Sequence, residues 1–205
     1  MAVSEVSICN YALRLVGGDR ITVLDTTTTN GARCDDLFDY LRDDLLRCHH
    51  WNFATRMAQL TVANDTPTFE FDFAYTLPAD FLRIISVHDN DAASGNLDYL
   101  NMDLGDGTQV LATSADACYI KYIAQITDVT KYPADFVMAF QLALARDLAI
   151  VVPNSNTVKD ELKDAAKAAL FRAKSADALG NPPPRRPAGS WATARQSWPS
   201  SRWPR

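Results

Sequence analysis

Apolar residues in this chain repeat with a helical period at both ends and a strand period in the middle, and that switch points to an α+β fold. Near the amino terminus Ile8, Tyr11, Ala12, Leu15 and Val16 form one helical stripe, which Ser4 can cap and Gly17-Gly18 can end. After the threonine run at 26–29, a second stripe comprises Cys34, Leu37, Phe38, Leu41, Leu45 and Cys48. Its opposite face carries Asp35, Asp36, Asp39, Arg42, Asp43 and Asp44. From Met57 to Gln125 the period shortens. Phe69, Phe71 and Phe73 alternate with Glu70 and Asp72, and segments 82–88, 110–113 and 118–124 are further strand candidates. Residues 92–96 and 103–108 are rich in turn formers.

Helical spacing then returns. Pro133 suits a first helical turn, and Phe136, Ala139, Phe140, Ala143, Leu144, Leu148 and Val151 continue a stripe that Pro153 stops. Thr157 can cap a fourth helix with Asp160 near its positive end, and Gly180 closes it. Its Leu162, Ala165, Ala166, Ala169 and Ala173 form a small-residue face that permits close helix packing. The pattern predicts helices over 3–17, 30–50, 133–152 and 157–179, with a small antiparallel β module inserted at about 56–128. Helices from both ends of the chain would pair into one bundle within a body spanning 1–180.

Residues 181–205 are a different polymer. They hold three of the four tryptophans, six of the ten prolines and five arginines, with no Asp, Glu or Lys. The first 180 residues therefore carry 15 basic residues against 25 acids, so a basic tail hangs on an acidic body. A proline-rich segment without periodicity cannot build a core of its own, while indole rings are large apolar groups that favour burial. The segment is expected to be an extended arm that docks elsewhere through Arg185, Arg186, Trp191, Arg195, Trp198, Arg202 and Trp203. Arg and Trp are the types enriched at interface hot spots.

Other chemistries find little support. No apolar run approaches the roughly 18–20 residues that span a bilayer, so no membrane is expected. The amino terminus lacks the basic flank and apolar stretch of a signal peptide, which leads to synthesis in a cytoplasm. Cys9, Cys34, Cys48 and Cys118 lie on apolar faces without a Cys-x-x-Cys pair and are expected to be buried thiols. In Cys48-His49-His50, consecutive helical residues point about 100° apart and cannot share one metal ion. Gly105-Asp106-Gly107 lacks the acidic series of a calcium loop. Phosphate-loop, dinucleotide and nucleophile-elbow motifs do not occur. The expectation is no enzyme, no cofactor and no metal.

The first half carries a string of residues specific as a set. It runs Ser4-Glu5-Val6, Ile8-Cys9-Asn10-x-Ala12-Leu13, Val16-Gly17, Ile21, Arg33-Cys34-x-Asp36-Leu37 and Arg42-Asp43-x-Leu45-Leu46-Arg47. It continues through Trp51-Asn52-Phe53-Ala54 and Tyr75-x-Leu77-Pro78-x-Asp80-Phe81-Leu82-Arg83. This string resembles the head-to-tail adaptor proteins of short-tailed bacteriophages, the tail tubular protein A family. The likeness is close over about 3–85, looser through the helices at 133–179, and does not reach the arm.

The resemblance implies a structural protein of the virion neck, assembled in the host cytoplasm. It implies a ring, a dodecamer in such adaptors, between the portal protein and the tail nozzle, with genomic DNA passing through without specific binding. In these adaptors the carboxyl-terminal segment reaches the portal, a role that suits the arm. An acidic conduit would repel DNA rather than retain it, and the acidic face of the second helix is a candidate lining. Lateral contacts between copies are expected on Leu162, Ala165, Ala166, Ala169 and Ala173. Two other functions stay open: a nucleic-acid-binding structural protein acting through the basic tail, and a virion-associated cell-wall hydrolase.

Overall fold

In the computed structural model, residues 3–63, 67, 70–90, 97–103, 108–152 and 156–181 are described below. The chain is α+β, with four α-helices and two small antiparallel sheets among the described residues. Helix α1 spans Glu5–Val16. Ser4 caps it through a reciprocal pair with Ser7, and Gly17 ends it in the left-handed region at φ 73°. Helix α2 spans Thr29–Arg47, and the Thr28 side chain accepts the Gly31 N–H at 3.0 Å. A Cβ at Gly31 would lie 2.5 Å from the Asp25 carbonyl oxygen, so glycine is what lets the threonine loop close against this helix start.

Helix α3 spans Ala134–Val151 behind Pro133, and α4 spans Asn156–Gly180. Helix α3 is central, packing against α1, α2 and α4. It accordingly buries Val137, Ala145 and Ala149 as well as the expected Phe136, Ala139, Phe140, Ala143, Leu144 and Leu148. A helix covered on several sides is apolar on more than one stripe.

Between α2 and α3 the described residues form seven strands. Strands β1 (Thr55–Gln59), β4 (Phe81–His88) and β7 (Tyr119–Ala124) form a sheet in the order β1-β7-β4. Strands β2 (Thr61–Val62), β3 (Phe73–Thr76), β5 (Leu100–Asp103) and β6 (Gln109–Thr113) form the other, ordered β2-β3-β6-β5. Strand β7 pairs Thr55 with Ile123 on one side and His88 with Tyr119 on the other. The first sheet lies against α2, where Leu46 is fully buried. Asp80 holds the helix-proximal end of that sheet: it accepts from the Tyr122 hydroxyl at 3.0 Å and pairs with Arg56, and its carbonyl accepts the Gln125 N–H at 2.7 Å.

Several expectations need correction. In α1 the buried set is Ile8, Cys9, Ala12, Leu13 and Val16, whereas Leu15 is exposed and Tyr11 half-buried. In α2, Arg42 is buried rather than on the acidic face, and Cys48 is exposed. The Arg42 guanidinium is held by Asp39 at 2.6 Å and Asp43 at 2.8 Å, which satisfies a charge that would be costly to bury unpaired. The phenylalanine alternation is a strand only from Phe73, because Glu70 adopts φ 75° and breaks extended backbone before it. Val151 is exposed, and α4 begins at Asn156, placing Thr157 inside its first turn rather than at its cap. Phe69 and the Gly105-Asp106-Gly107 turn lie outside the described residues.

Trp51 is 1% exposed and donates its indole N–H to the Leu45 carbonyl at 2.8 Å. Its ring meets Phe136 edge-on at 5.1 Å and leans on Phe53 at 6.0 Å. Trp51→Ala should lower unfolding stability by about 3–5 kcal/mol, whereas Tyr40→Ala, at an exposed position of α2, should stay within about 0.5 kcal/mol. Urea titrations followed by far-ultraviolet circular dichroism check both, and equal midpoints for the two variants would contradict the packing described.

Candidate functional site

The place where the arm leaves the body is built from three elements. Helix α2 ends at Arg47, and the chain turns through His49 and His50 into a 3-10 turn at Asn52–Ala54. The carboxyl end of α4 lies across that turn. The Asp177 carboxylate accepts the Asn52 backbone N–H at 3.1 and 3.2 Å, and the Asp177 carbonyl accepts from the Asn52 side-chain amide at 2.6 Å. The Asn181 amide donates to the same Asn52 side chain, and Lys174 reaches the Cys48 carbonyl at 3.4 Å. Asn181, the first residue of the 181–205 segment and the last one described, is thus tied to the body.

His49 completes the cluster. Its Nε2 lies 3.4 Å from the Asp177 carboxylate, and its ring meets Trp51 edge-on at 4.9 Å. Burial is the largest influence on His49 and lowers its pKa from the ordinary imidazole value; Asp177 pulls the other way without overcoming it. His50 is also lowered by burial, helped by the Arg83 charge. Among the described residues no group of three His, Cys, Asp or Glu side chains could hold a metal ion. Cys9, Cys34 and Cys118 are buried free thiols, with Cys118 one residue ahead of β7.

The arm residues Arg185, Arg186, Trp191, Arg195, Trp198, Arg202 and Trp203 lie outside the described residues. The small-residue face is a correction. Leu162, Ala166, Ala169 and Ala173 are buried in the chain's own core, where α4 packs on α3. Ala165 is half-buried beside a shallow groove of about 340 Å³ lined by Met138, Leu142 and Arg172. Close helix approach is what these alanines provide, and the helix they approach is in the same chain. On α2, Asp35, Asp36, Asp39 and Asp44 are exposed and Asp43 is half-buried, so an acidic face persists without Arg42.

Sequence reasoning singled out Trp51 and Asn52 but passed over Asp177. A signal was present: a carboxylate in the last turn of a helix opposes the dipole, so its presence there calls for a donor. No family model matches this chain, and no curated protein does. Among the described residues no helix is long and apolar enough to cross a membrane.

A lowered folded-state pKa means that folding favours the neutral imidazole. The His49 contribution to stability is therefore complete above the ordinary value of 6.5 and lost as pH falls through the lower folded value. The His49 ring resonance should titrate below 6.5 by nuclear magnetic resonance, and His49→Gln should flatten the acid side of the stability profile. A titration midpoint above 6.5 would mean that Asp177 outweighs burial.

Proposed function

We propose that this protein is a structural head-to-tail adaptor of a tailed phage virion, forming a ring between the portal and the tail nozzle and continuing the DNA channel. One observation carries the reading: the residues of the adaptor-like string are those that lock this fold together. Ser4 caps α1 and Gly17 ends it. Asn10 bonds both the Ile21 N–H at 2.8 Å and the Ile21 carbonyl at 2.9 Å, folding the loop after α1 back onto it. Trp51 seals the end of α2, Asn52 anchors Asp177, and Asp80 ties Arg56 to Tyr122. Arg83 donates to the Arg47 carbonyl at 2.9 Å, joining sheet to helix. A string of structural locks fits a protein whose work is to hold a shape.

The charge distribution agrees. The acid excess of the first 180 residues suits the wall of a conduit, because lysine and arginine on such a wall would bind phosphate and slow passage. The arm, with five arginines and three tryptophans, is the segment suited to grip a portal groove bearing acidic side chains. Its root at Asn181 is fixed, so every copy in a ring would present the arm from an equivalent point. Many modest attachments on one rigid platform give avidity beyond that of a single arm.

Removing residues 182–205 should leave a folded body with an unchanged unfolding midpoint that no longer joins DNA-filled heads. Co-sedimentation with heads and assays of DNA leakage check this. A truncated protein that still seals heads would remove the arm from the attachment. Salt-sensitive retention of duplex DNA by the full chain, with no binding to heads, would favour the nucleic-acid reading instead.

A further inference from the structure

Among the described residues, Tyr40 on α2 and Phe171 on α4 are the Phe, Tyr or Trp side chains more than half exposed, at 72% and 75%. Helical residues three and four apart are neighbours, so spacing fixes the charges beside each ring. Tyr40 has Asp36 four residues before it and Asp43 and Asp44 three and four after it. Phe171 has Lys167 four residues before it and Lys174 three after it, with Arg172 alongside. Between Asp164 and Asp177 the helix carries no acid. Arg42, the cation of α2 close to Tyr40, is buried and engaged by Asp39 and Asp43. One ring is therefore set among carboxylates and the other among cations.

The intervals match as well as the signs. On both helices a charge stands four residues before the ring and another three after it, about 6 Å and 4.5 Å along the axis. Two such helices laid side by side in parallel would set Tyr40 against Phe171 and Asp36 against Lys167. Asp43 and Lys174 would also face each other, but both are half-buried and already bonded, to Arg42 and to the Cys48 carbonyl. Asp36 and Lys167 are exposed, and among the described residues no ion pair within 4.0 Å uses either. Within one chain the two faces stay apart. A groove of about 430 Å³, lined by Leu41, Leu45, Ala166 and Leu170, runs between α2 and α4, and neither ring borders it. The complement of each face is thus found on another copy.

We propose that the Tyr40 face of α2 in one copy packs against the Phe171 face of α4 in the next, with Asp36 facing Lys167. This rests on the ring reading for the assembly it builds, while the contact itself rests on these two faces. The paired rings supply the desolvated centre, and the charges around them set register more than affinity. The two faces are different patches of one surface, so each contact leaves an acidic face free on one copy and a cationic face free on the other. Such unlike-face pairing propagates until it closes into a ring or continues as a filament. The acidic face of α2 is then a contact between copies rather than a lining of the channel. The alanine face buried against α3 serves to position α4 for this contact rather than to make it.

Sedimentation velocity of the full chain over a range of concentrations tests the contact. The wild-type protein should form species larger than a dimer. Tyr40→Ser and Phe171→Ser should each raise the concentration needed for association about tenfold or more, as loss of an interface hot spot does. Both rings are exposed, so at concentrations too low for association the circular dichroism and unfolding midpoint should match the wild type, which separates lost contact from lost fold. An equimolar mixture of the two serine variants keeps one intact face on each chain and should pair through it, stopping at a dimer. Asp36→Lys should weaken association, as should Lys167→Glu, and the two reversals combined in one chain should restore it. A wild-type monomer at all concentrations, indifference to either serine variant, a mixture that does not pair, or failure of the combined reversal to recover would each overturn the contact. Rings that ignore these changes and still join heads would sink this interface and leave the adaptor reading standing. Intact, sensitive self-association with no binding to heads would do the reverse.

Discussion

Burial of the Trp51 indole is the constraint on which the rest of the architecture depends. The ring sits where α2 stops, where the β module begins and where α4 ends, so one side chain settles three boundaries. Its N–H satisfies the Leu45 carbonyl, one of the four left open at a helix carboxyl terminus. Its faces meet Phe53 and Phe136, and Phe136 in turn touches Tyr132 and Phe140. Aromatic packing thus runs from the entry of the β module into the centre of α3. Remove that ring and the 3-10 turn carrying Asn52 loses its floor, and with it the seat of Asp177.

Helix positions were legible from the sequence because each stripe was long enough to show its period, and α1 and α2 begin behind side-chain caps. Which way a helix faced was less legible. In α1, Leu13 and Leu15 are equally apolar, and only the presence of α3 on one side decides that Leu13 is buried. Arg42 was misplaced for a different reason. Charge suggests exposure, yet Asp39 and Asp43 on the same helix make its burial tolerable, and no periodicity rule reports such pairing. The strands divide in the same way. Leu82–His88 and the segment ending at Ala124 showed themselves through apolar residues, but β1 reads Thr-Arg-Met-Ala-Gln and is a strand because β7 pairs with it. Edge strands borrow their structure from a neighbour, so their own residues need not announce it.

The candidate site was legible in part. Trp51 and Asn52 belonged to the recognisable string, whereas Asp177 sits 125 residues from Asn52 and only the fold brings the two together. The alanines of α4 were rightly read as a close-packing face, but small size on a helix does not say whether the partner helix belongs to the same chain. The core answers that for Leu162, Ala166, Ala169 and Ala173. What remains outward on α4 is then Phe171, the lysine row and the carboxylates, and this residue set is a different surface from the one the spacing first suggested.

Cation chemistry is divided along the chain in a way that matches a division of labour. Four of six lysines sit on α4, and all five basic residues of the arm are arginines. Lysine is a hydrated point charge on a flexible stem, adequate for a wet rim where register matters and desolvation is incomplete. Arginine presents a planar fork that makes paired hydrogen bonds to carboxylates and stacks on aromatic rings, so it tolerates a drier contact. In the proposed attachment to an unlike partner, the arm would use the second kind. The two could then respond differently to salt. Rim charges exposed to solvent are screened within a Debye length of about 8 Å at physiological ionic strength, while buried arginine forks are screened far less. An attachment through arm arginines that persists in salt is the behaviour this division of charge implies.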